Sequence, residues 1–262
     1  MHESFHRRRI PPGVPASPAV AALFVDECVH DLARVAVPRP EAHLVVRFGP
    51  SARNGLDAHA LGIRSKVHRK LIRGGQRTVF ARLHLGAHEA VLGVPAPDIA
   101  GRIVSLEDLW GAAATQRLLD RLAHAHDAAA AAAVLERAAA ERITVPGKLN
   151  AHARLALDAA RKLGSANVNA VACDLGVSER QLRRVFREAV GMSPKAFARL
   201  TRFHRALSAA SDAGETSWAR IAAAVGYYDQ AHLIAEFHAI AGVTPRTLLA
   251  ELRGQAAGAE PA

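Results

Sequence analysis

Apolar, small and turn-forming residues recur in the same order at two places in the C-terminal part of the chain. The first copy contains Ala172, Gly176, Leu182, Phe186, Gly191 and Pro194, and the second contains Ala222, Gly226, Leu233, Phe237, Gly242 and Pro245. The offset between the copies is 50 residues before the central turn and 51 after it, so the second turn is one residue longer. Six positions that agree in order indicate an internal repeat.

Each copy of this repeat predicts two helices joined by a tight turn. Gly176, like its counterpart in the second copy, permits the left-handed backbone of such a turn. Ser178 and Asp229 then stand where a side-chain oxygen caps the second helix. In the second copy we expect Tyr228 to pack against Leu233 at the start of that helix. The pattern is that of a helix-turn-helix.

A hydroxyl residue followed by proline closes each copy and favours the start of another helix. Ser193 and Pro194 begin a long helix through about Ala210, which would join the two copies. Thr244 and Pro245 begin a final helix that ends near residues 253–254. The whole region is therefore predicted to be helical.

The N-terminal part of the chain has a mixed pattern that predicts an α+β domain. Ser17 can cap a helix whose apolar residues are Val20, Leu23, Phe24 and Cys28. Residues 43–48 and 78–85 are predicted to be strands, and residues 61–72 alternate more loosely. These segments predict a small antiparallel sheet, either barrel-like or part of an irregular α+β arrangement.

An alanine-rich stretch separates the two parts. It runs from Trp110 to about Lys148 and predicts an ordered helical connector, which residues 145–147 (Val-Pro-Gly) would end. We therefore expect an α+β domain over residues 1–110 and a connector over 111–147. A helical domain that contains both repeat copies, over 148–254, and a disordered tail over 255–262 would follow.

Composition narrows the class of protein. The chain has 262 residues, of which 50% are apolar and 22% charged, as in a globular protein. Its longest apolar run, residues 128–135, is too short to span a membrane, and the N-terminus lacks the apolar core of a signal peptide. We expect a cytoplasmic protein without cofactor or metal. Cys28 and Cys173 match no metal or redox spacing and are predicted to be small buried residues.

The net charge is +10, and its distribution along the chain indicates where an anionic partner would bind. In the first copy, Leu182, Val185 and Phe186 would face inward, and four arginines would face outward. Residues 178–205 contain eight basic and two acidic residues, whereas residues 218–246 contain two of each. Because a helix fits the major groove and arginine pairs with guanine or phosphate, the first copy predicts DNA binding. The outward arginines are Arg180, Arg183, Arg184 and Arg187.

The two copies also resemble the AraC/XylS family of transcriptional regulators. The matching segments are SERQLRRVFREAVGMSPKAFARLTRFHRA (178–206) and IAAAVGYYDQAHLIAEFHAIAGVTPRTLL (221–249). The resemblance covers about residues 148–253 and implies a seven-helix domain whose two helix-turn-helix units enter successive major-groove segments. The expected DNA-binding residues are Arg180, Gln181, Arg183, Arg184, Arg187, Lys195, Arg199, Gln230 and His232.

Two further comparisons with that family qualify the expectation. The first domain, through Leu-Gly-Val-Pro (92–95) and Leu-Glu-Asp-Leu-Trp-Gly (106–111), resembles the sensor half of one uncharacterised AraC-type subgroup. The second copy has Ile234-Ala235 where the family commonly has Ser-Arg. We therefore expect the first copy to supply most of the affinity and base choice.

Three functions fit these observations. The first is a one-component regulator that binds double-stranded promoter DNA, contacts RNA polymerase and responds to a small-molecule effector, as a homodimer or a monomer. The second is a constitutive DNA binder whose first domain only dimerises. The third is an enzyme domain with a DNA-binding tail, which would have to use residues such as His43, His59, His84 and His88.

Overall fold

The computed structural model describes residues 5–11, 17–143, 151–212 and 217–257. The predicted break at residues 145–147 lies outside these ranges. The strands are β1 Phe5–Ile10, β2 Val20–Cys28, β3 Leu32–Ala36, β4 His43–Phe48, β5 Leu56–Leu61, β6 His68–Ile72, β7 Gln76–Leu83 and β8 Ile103–Ser105. The N-terminal helices are α1 His88–Leu92, α2 Ala96–Ile99, α3 Leu106–Trp110, α4 Ala112–Ala123 and α5 Ala128–Arg142. The C-terminal helices are α6 Ala151–Lys162, α7 Val168–Asp174, α8 Glu179–Val190, α9 Pro194–Asp212, α10 Trp218–Val225, α11 Gln230–Ala241 and α12 Pro245–Ala257.

The strands form an open antiparallel sheet of six, in the order β1-β2-β7-β4-β5-β8, and a separate two-stranded sheet, β3-β6. The larger sheet does not close into a barrel. An α+β N-terminal domain on a small antiparallel sheet, followed by an all-α domain, is therefore confirmed. The strand at residues 43–48 is confirmed, and the one predicted at 78–85 begins and ends two residues earlier.

One face of the larger sheet is apolar and helices cover it. Leu23, Leu44, Val79 and Leu83 on neighbouring strands are at most 1% exposed and belong to one core cluster. The same cluster contains Leu135 and other residues of α4 and α5, because these helices pack across β2, β5 and β7. Side chains alternate along a strand, so the neighbouring residues point to the opposite face of the sheet.

Two predictions for this domain are wrong. Residues 20–28 form the second strand of the sheet instead of a helix capped by Ser17. This strand is buried on both faces, so its apolar residues are nearly continuous and their spacing also matched a helix. Residues 61–72 are not one strand, because the chain leaves β5 at Gly62, where a Cβ would come within 1.7 Å of the Ile99 carbonyl oxygen, and re-enters a different sheet as β6.

The alanine-rich stretch is helical, as predicted. Asp127 caps α5 by accepting a hydrogen bond of 2.7 Å from the Ala130 amide. The buried alanines of this helix let it lie close to the sheet. The stretch thus belongs to the core of the N-terminal domain, while the exact domain boundaries stay predictions. The helix α12 continues to Ala257, past the predicted start of the tail.

The C-terminal helices share a core that is centred on α9. Its Phe197 meets Phe186 of α8 with ring centroids 5.3 Å apart, and its Phe203 meets Phe237 of α11 at 4.6 Å. All four rings are at most 7% exposed. The long helix between the two copies is therefore confirmed, and it packs against the second helix of each.

Several contacts join the N-terminal domain to the C-terminal helices, among them two hydrogen bonds and one ion pair. The Val67 amide donates a hydrogen bond of 2.9 Å to the Ile240 carbonyl at the end of α11. His204 Nε2 of α9 donates to the Pro38 carbonyl at 2.7 Å. Arg69 of β6 pairs with Glu251 of α12 at 2.9 Å. These contacts fix α9, α11 and α12 relative to the sheets, and α2 packs against α8.

The two cysteines differ. Cys28 is buried, as predicted, but Cys173 is exposed on α7, where the prediction of burial is wrong. Both thiols are free. Cys173 lies outside the helical stripe of Val168, Val171 and Ala172 that packs inward, so the spacing of the apolar residues places it on the outer face.

We predict that Gly191→Ala destabilises the protein more than Gly242→Ala. Gly191 ends α8 and Gly242 ends α11, and both glycines adopt a left-handed backbone, at φ 79° and 73°. A Cβ on Gly191 would lie 2.9 Å from the Ala96 Cβ and 3.0 Å from its carbonyl carbon, whereas a Cβ on Gly242 meets nothing within 4 Å. We expect about 1 kcal/mol of backbone strain at both sites and about 1–3 kcal/mol more at Gly191 from the domain contact. Urea unfolding measures the difference, and equal losses would contradict the contact.

We predict that His88 makes the protein less stable in acid. Burial lowers the pKa of His88 to about 4, below its ordinary 6.5. Between these values the unfolded chain binds more protons than the folded one, so stability falls as pH falls through this window. The loss is about 1.4 kcal/mol per pH unit at most. Urea unfolding from pH 7 to 4 should show a shallower loss in His88→Leu, with exposed His84→Leu as the control.

Candidate nucleic-acid interface

The helix α8 has two distinct faces. Leu182, Val185 and Phe186 are fully buried, as the spacing predicts. The opposite side is exposed and carries five of the predicted DNA-binding residues. They are Arg180, Gln181, Arg183, Arg184 and Arg187. The sequence therefore folds into one helix with a basic outer surface, which we call the arginine face of α8.

Caps fix the position of this helix. The Gln181 amide donates to Ser178 Oγ at 3.1 Å, which satisfies one free N–H of the first turn. Gly176, at φ 65°, makes the preceding turn, and the Val177 amide bonds to the Ala172 carbonyl at 3.0 Å. The arginine face is thus presented by a helix whose start and turn are both specified locally.

The arginines differ in their present partners. Arg183 pairs with Glu179, and Arg184 with Glu188 at 3.3 Å, both along the helix. Within the described part of the chain, Arg180 and Arg187 form no ion pair. These two can meet phosphate oxygens directly, whereas the other two would exchange a carboxylate for a phosphate or a base. Exposed pairs of this kind contribute little stability, so the exchange costs little.

The helix α11 begins like α8 but presents a different surface. Asp229 accepts a hydrogen bond of 2.7 Å from the His232 amide, which confirms the predicted cap. Gln230 and His232 are exposed. Ile234 is half-buried and Ala235 is exposed. Beyond its first turn, the outer face is therefore nearly free of hydrogen-bonding groups that could read bases.

The expectation that Tyr228 packs against Leu233 is wrong, because Tyr228 is 92% exposed. Tyr227 takes the inner position instead, and its amide bonds to the Ala222 carbonyl at 2.9 Å, the bond that Val177 makes in the first copy. The extra residue of the second turn is therefore Tyr228. The change of offset from 50 to 51 is a sequence signal that could have located this outward-facing tyrosine.

A buried carboxylate joins α11 to α9. Glu236 is 7% exposed and accepts from Arg199 Nε at 2.7 Å, while Arg202 lies 3.8 Å away. Burial and the Glu236 carboxylate raise the pKa of the Tyr227 phenol. The predicted contact of Arg199 with DNA stays a prediction, since its guanidinium is engaged with Glu236 here. Lys195, at the start of α9, is exposed.

The histidines considered for an enzyme are not gathered in one place. His59 lies on β5 with its Nε2 3.1 Å from Asp57, whose carboxylate also pairs with Arg47. His84 is exposed and His88 is buried on α1. In the described ranges, no group of three or more His, Cys, Asp or Glu is arranged to hold a metal ion. No helix found there is long and apolar enough to cross a bilayer.

A capped helix with an arginine face, packed on the preceding helix across a glycine turn, defines a helix-turn-helix DNA-binding domain. Residues 171–251 match a family model described as "Helix-turn-helix domain". This match confirms that the C-terminal domain resembles AraC-type DNA-binding domains. Domains of this type occur in transcription regulators.

Several solved structures are similar to the chain. A DNA-binding transcriptional dual regulator from Escherichia coli K-12 is 23% identical over 44% of this chain and 99% of its own, with a TM-score of 0.34. ToxT from Vibrio cholerae is 11% identical over 95% of this chain and 98% of its own, with a TM-score of 0.44. The ToxT structure with an unsaturated fatty acid is 12% identical over 95% of both chains, at 0.41. No curated protein matches.

We predict that Glu236→Gln weakens the packing of α11 on α9. The substitution keeps the size of the side chain but leaves Arg199 and Arg202 without their carboxylate, at a cost of about 1–3 kcal/mol. Glu188→Gln, which removes the exposed partner of Arg184, is the matched control and should cost less than about 0.5 kcal/mol. Urea unfolding compares them. Equal costs would show that Glu236 has no special role.

Proposed function

We propose that this protein is a one-component transcriptional regulator that binds double-stranded promoter DNA through α8 and α11, in successive segments of the major groove. The arginine face of α8 is the observation that carries this proposal. Its four arginines are exposed, and Arg180 and Gln181 are exposed in the first turn, which Ser178 caps. The matching family model supports the class of function.

We infer that the two helices contribute unequally. Four arginines stand on the outer side of α8, and in α11 the equivalent positions are Ala231, Ile234, Ala235 and His238. Arginine can pair with guanine in two hydrogen bonds, but alanine and isoleucine offer only apolar contact. The first helix therefore supplies most of the affinity and the base choice, as expected from the sequence.

The second helix keeps a smaller set of polar groups at its start. Gln230 suits an adenine, and His232 suits a phosphate. Tyr228, which was expected to pack inward, adds an exposed hydroxyl and ring beside them. These three residues would anchor the register of the domain on the duplex, while Lys195 meets the phosphate backbone near α8.

The N-terminal domain is proposed to control this binding, through a small-molecule effector or through formation of a homodimer, and RNA polymerase is the proposed further partner. Its contacts with α9, α11 and α12 support such a role, because they fix the helices that present the DNA-reading surface. A constitutive binder would keep the same DNA affinity under all effector conditions.

We predict that Arg184→Ala weakens binding of the full chain to a site selected from genomic DNA by about 1–3 kcal/mol and relaxes specificity at one base pair. The double change Gln230→Ala with His232→Ala should cost less. Exposed Arg117→Ala on α4 removes the same charge and should have no effect. Fluorescence anisotropy at two salt concentrations measures each affinity, which should fall steeply with salt.

The unequal roles would be wrong if the double change cost more than Arg184→Ala. If the full chain selected no sequence, or if Arg184→Ala behaved like Arg117→Ala, specific promoter binding through the arginine face would be excluded.

A further inference from the structure

The face of the larger sheet that lies away from α4 and α5 carries polar and aromatic side chains. In the strand register, Arg7 lies opposite Asp26, Phe24 opposite Phe80, and His43 opposite Arg82. These residues alternate with the buried apolar ones of the helix-covered face. The guanidinium groups of Arg7 and Arg82 lie 5.6 and 5.8 Å from the Phe24 ring.

Six cations from three parts of the fold gather at this face, and we call them the cationic cluster. Arg7 and Arg82 lie on the larger sheet, Arg34 and Lys70 lie opposite each other in the smaller sheet, and Arg39 and Arg64 lie in loops. Burial, together with the arginines at 39, 82, 7 and 64, lowers the pKa of His43 to about 3. Burial lowers the pKa of Arg34 to about 10. Burial also lowers the pKa of Lys70, and the positive charges of Arg34, Arg64 and Arg7 lower it further. The six charges therefore act on one small volume.

Carboxylates compensate only part of this charge. Asp26 pairs with Arg7 at 2.6 Å and lies 3.8 Å from Arg34. Glu41 lies near Arg39 and raises its pKa, but one of its carboxylate oxygens, Oε2, is buried without a hydrogen bond. In the described part of the chain, these two carboxylates thus face six cations, and like charges held together destabilise a fold unless an anion joins them.

Two donors in the cluster have no acceptor. Arg64 Nε and Arg82 Nε are buried and make no hydrogen bond among the described residues. Buried donors in folded proteins are almost always paired, so an unpaired one indicates a missing partner. Arg39 and Lys70 keep solvent-exposed side chains although protein surrounds them deeply enough to lower their pKa values. A ligand can therefore reach these two side chains from solvent.

We propose that the cationic cluster binds a small organic anion, with its carboxylate or phosphate group between Arg64 and Arg82 and its apolar part against Phe24 and Phe80. Guanidinium groups pair with oxyanions through two parallel hydrogen bonds, which would satisfy the unpaired Nε donors. The aromatic rings that already stack under Arg7 and Arg82 provide apolar surface beside the charges.

The cluster is connected to the DNA-binding domain. The Arg64 amide donates to the Arg39 carbonyl at 3.3 Å, and the neighbouring Pro38 carbonyl accepts from His204 of α9. Ile63, next to Arg64, belongs to the hydrophobic core of the C-terminal helices. An anion that braces Arg64 therefore also braces the segment that holds α9. This consequence, unlike the binding itself, rests on the proposed function.

Direct binding to the full chain tests the proposal without DNA. Benzoate and phenyl phosphate supply the two headgroups on the same ring, and neutral benzamide supplies the ring without charge. At constant ionic strength, calorimetric titration should show saturable binding of at least one anion and none of benzamide, and the tighter anion identifies the headgroup. Absence of saturable binding by both anions, or equal binding of benzamide, would overturn the proposal.

Variants locate the binding. Arg64→Gln and Arg82→Gln should each raise the dissociation constant of the bound anion at least about tenfold, the loss expected for one charge-assisted hydrogen bond. Arg53→Gln, an exposed position of the same domain, removes an equal charge and should leave binding unchanged. If Arg82→Gln fails to fold, Arg64→Gln in its loop carries the test. Wild-type affinity in Arg64→Gln would exclude the assigned site.

DNA binding is measured separately. If the anion binds and changes the affinity of the full chain for its selected DNA site, and Arg64→Gln abolishes that change, then the cluster is the effector site of the proposed regulator. If the anion binds but the chain selects no DNA, the proposed function fails while the anion site stands. If DNA is bound specifically but neither anion binds, the anion site alone is refuted.

Discussion

The packing of α9 against both repeat copies is the constraint on which the DNA-binding surface depends. Phe197 of α9 packs on α8, and Phe203, two turns further along, packs on α11. Because one continuous helix holds both contacts, the two outer helices cannot rotate independently. The buried Glu236 adds direction to this packing, since a carboxylate that is fixed by Arg199 tolerates little sliding. Apolar burial supplies the stability, and the ion pair specifies the arrangement.

Positive charge is used in two different ways in this chain. On α8 it is exposed, paired only with carboxylates along the same helix, and available to a large polyanion. On the face of the larger sheet that lies away from α4 and α5, the positive charge is partly buried. Asp26 and Glu41 compensate only part of it, which suits a small anion. Two segments, residues 38–39 and 63–64, connect the two domains. They contribute Arg39 and Arg64 to the cationic cluster, while Pro38 and Ile63 contact the C-terminal helices.

The predictable parts of the fold are those that short segments of the sequence specify by themselves. Each repeat copy has its own cap, glycine turn and proline start, so Ser178, Asp229 and the helices that follow them could be placed without knowledge of their neighbours. The exposure of the arginines on α8 was predictable for the same reason. Tyr228 was misplaced because one inserted residue can lie on either side of the buried position, and only the backbone bond of Tyr227 decides between them.

By itself, the sequence determined an AraC-type helical domain with an arginine-rich outer helix, since helix periodicity and capping are local properties of the chain. The tertiary structure alone decided that residues 20–28 are a strand and that the alanine-rich helices cover one face of the larger sheet. It also brought the six residues of the cationic cluster together from the two sheets and from loops. Strand partners come from distant segments, and burial on both faces hides the period of two. Neither the partners nor the charge cluster that they assemble can be inferred from spacing along the chain.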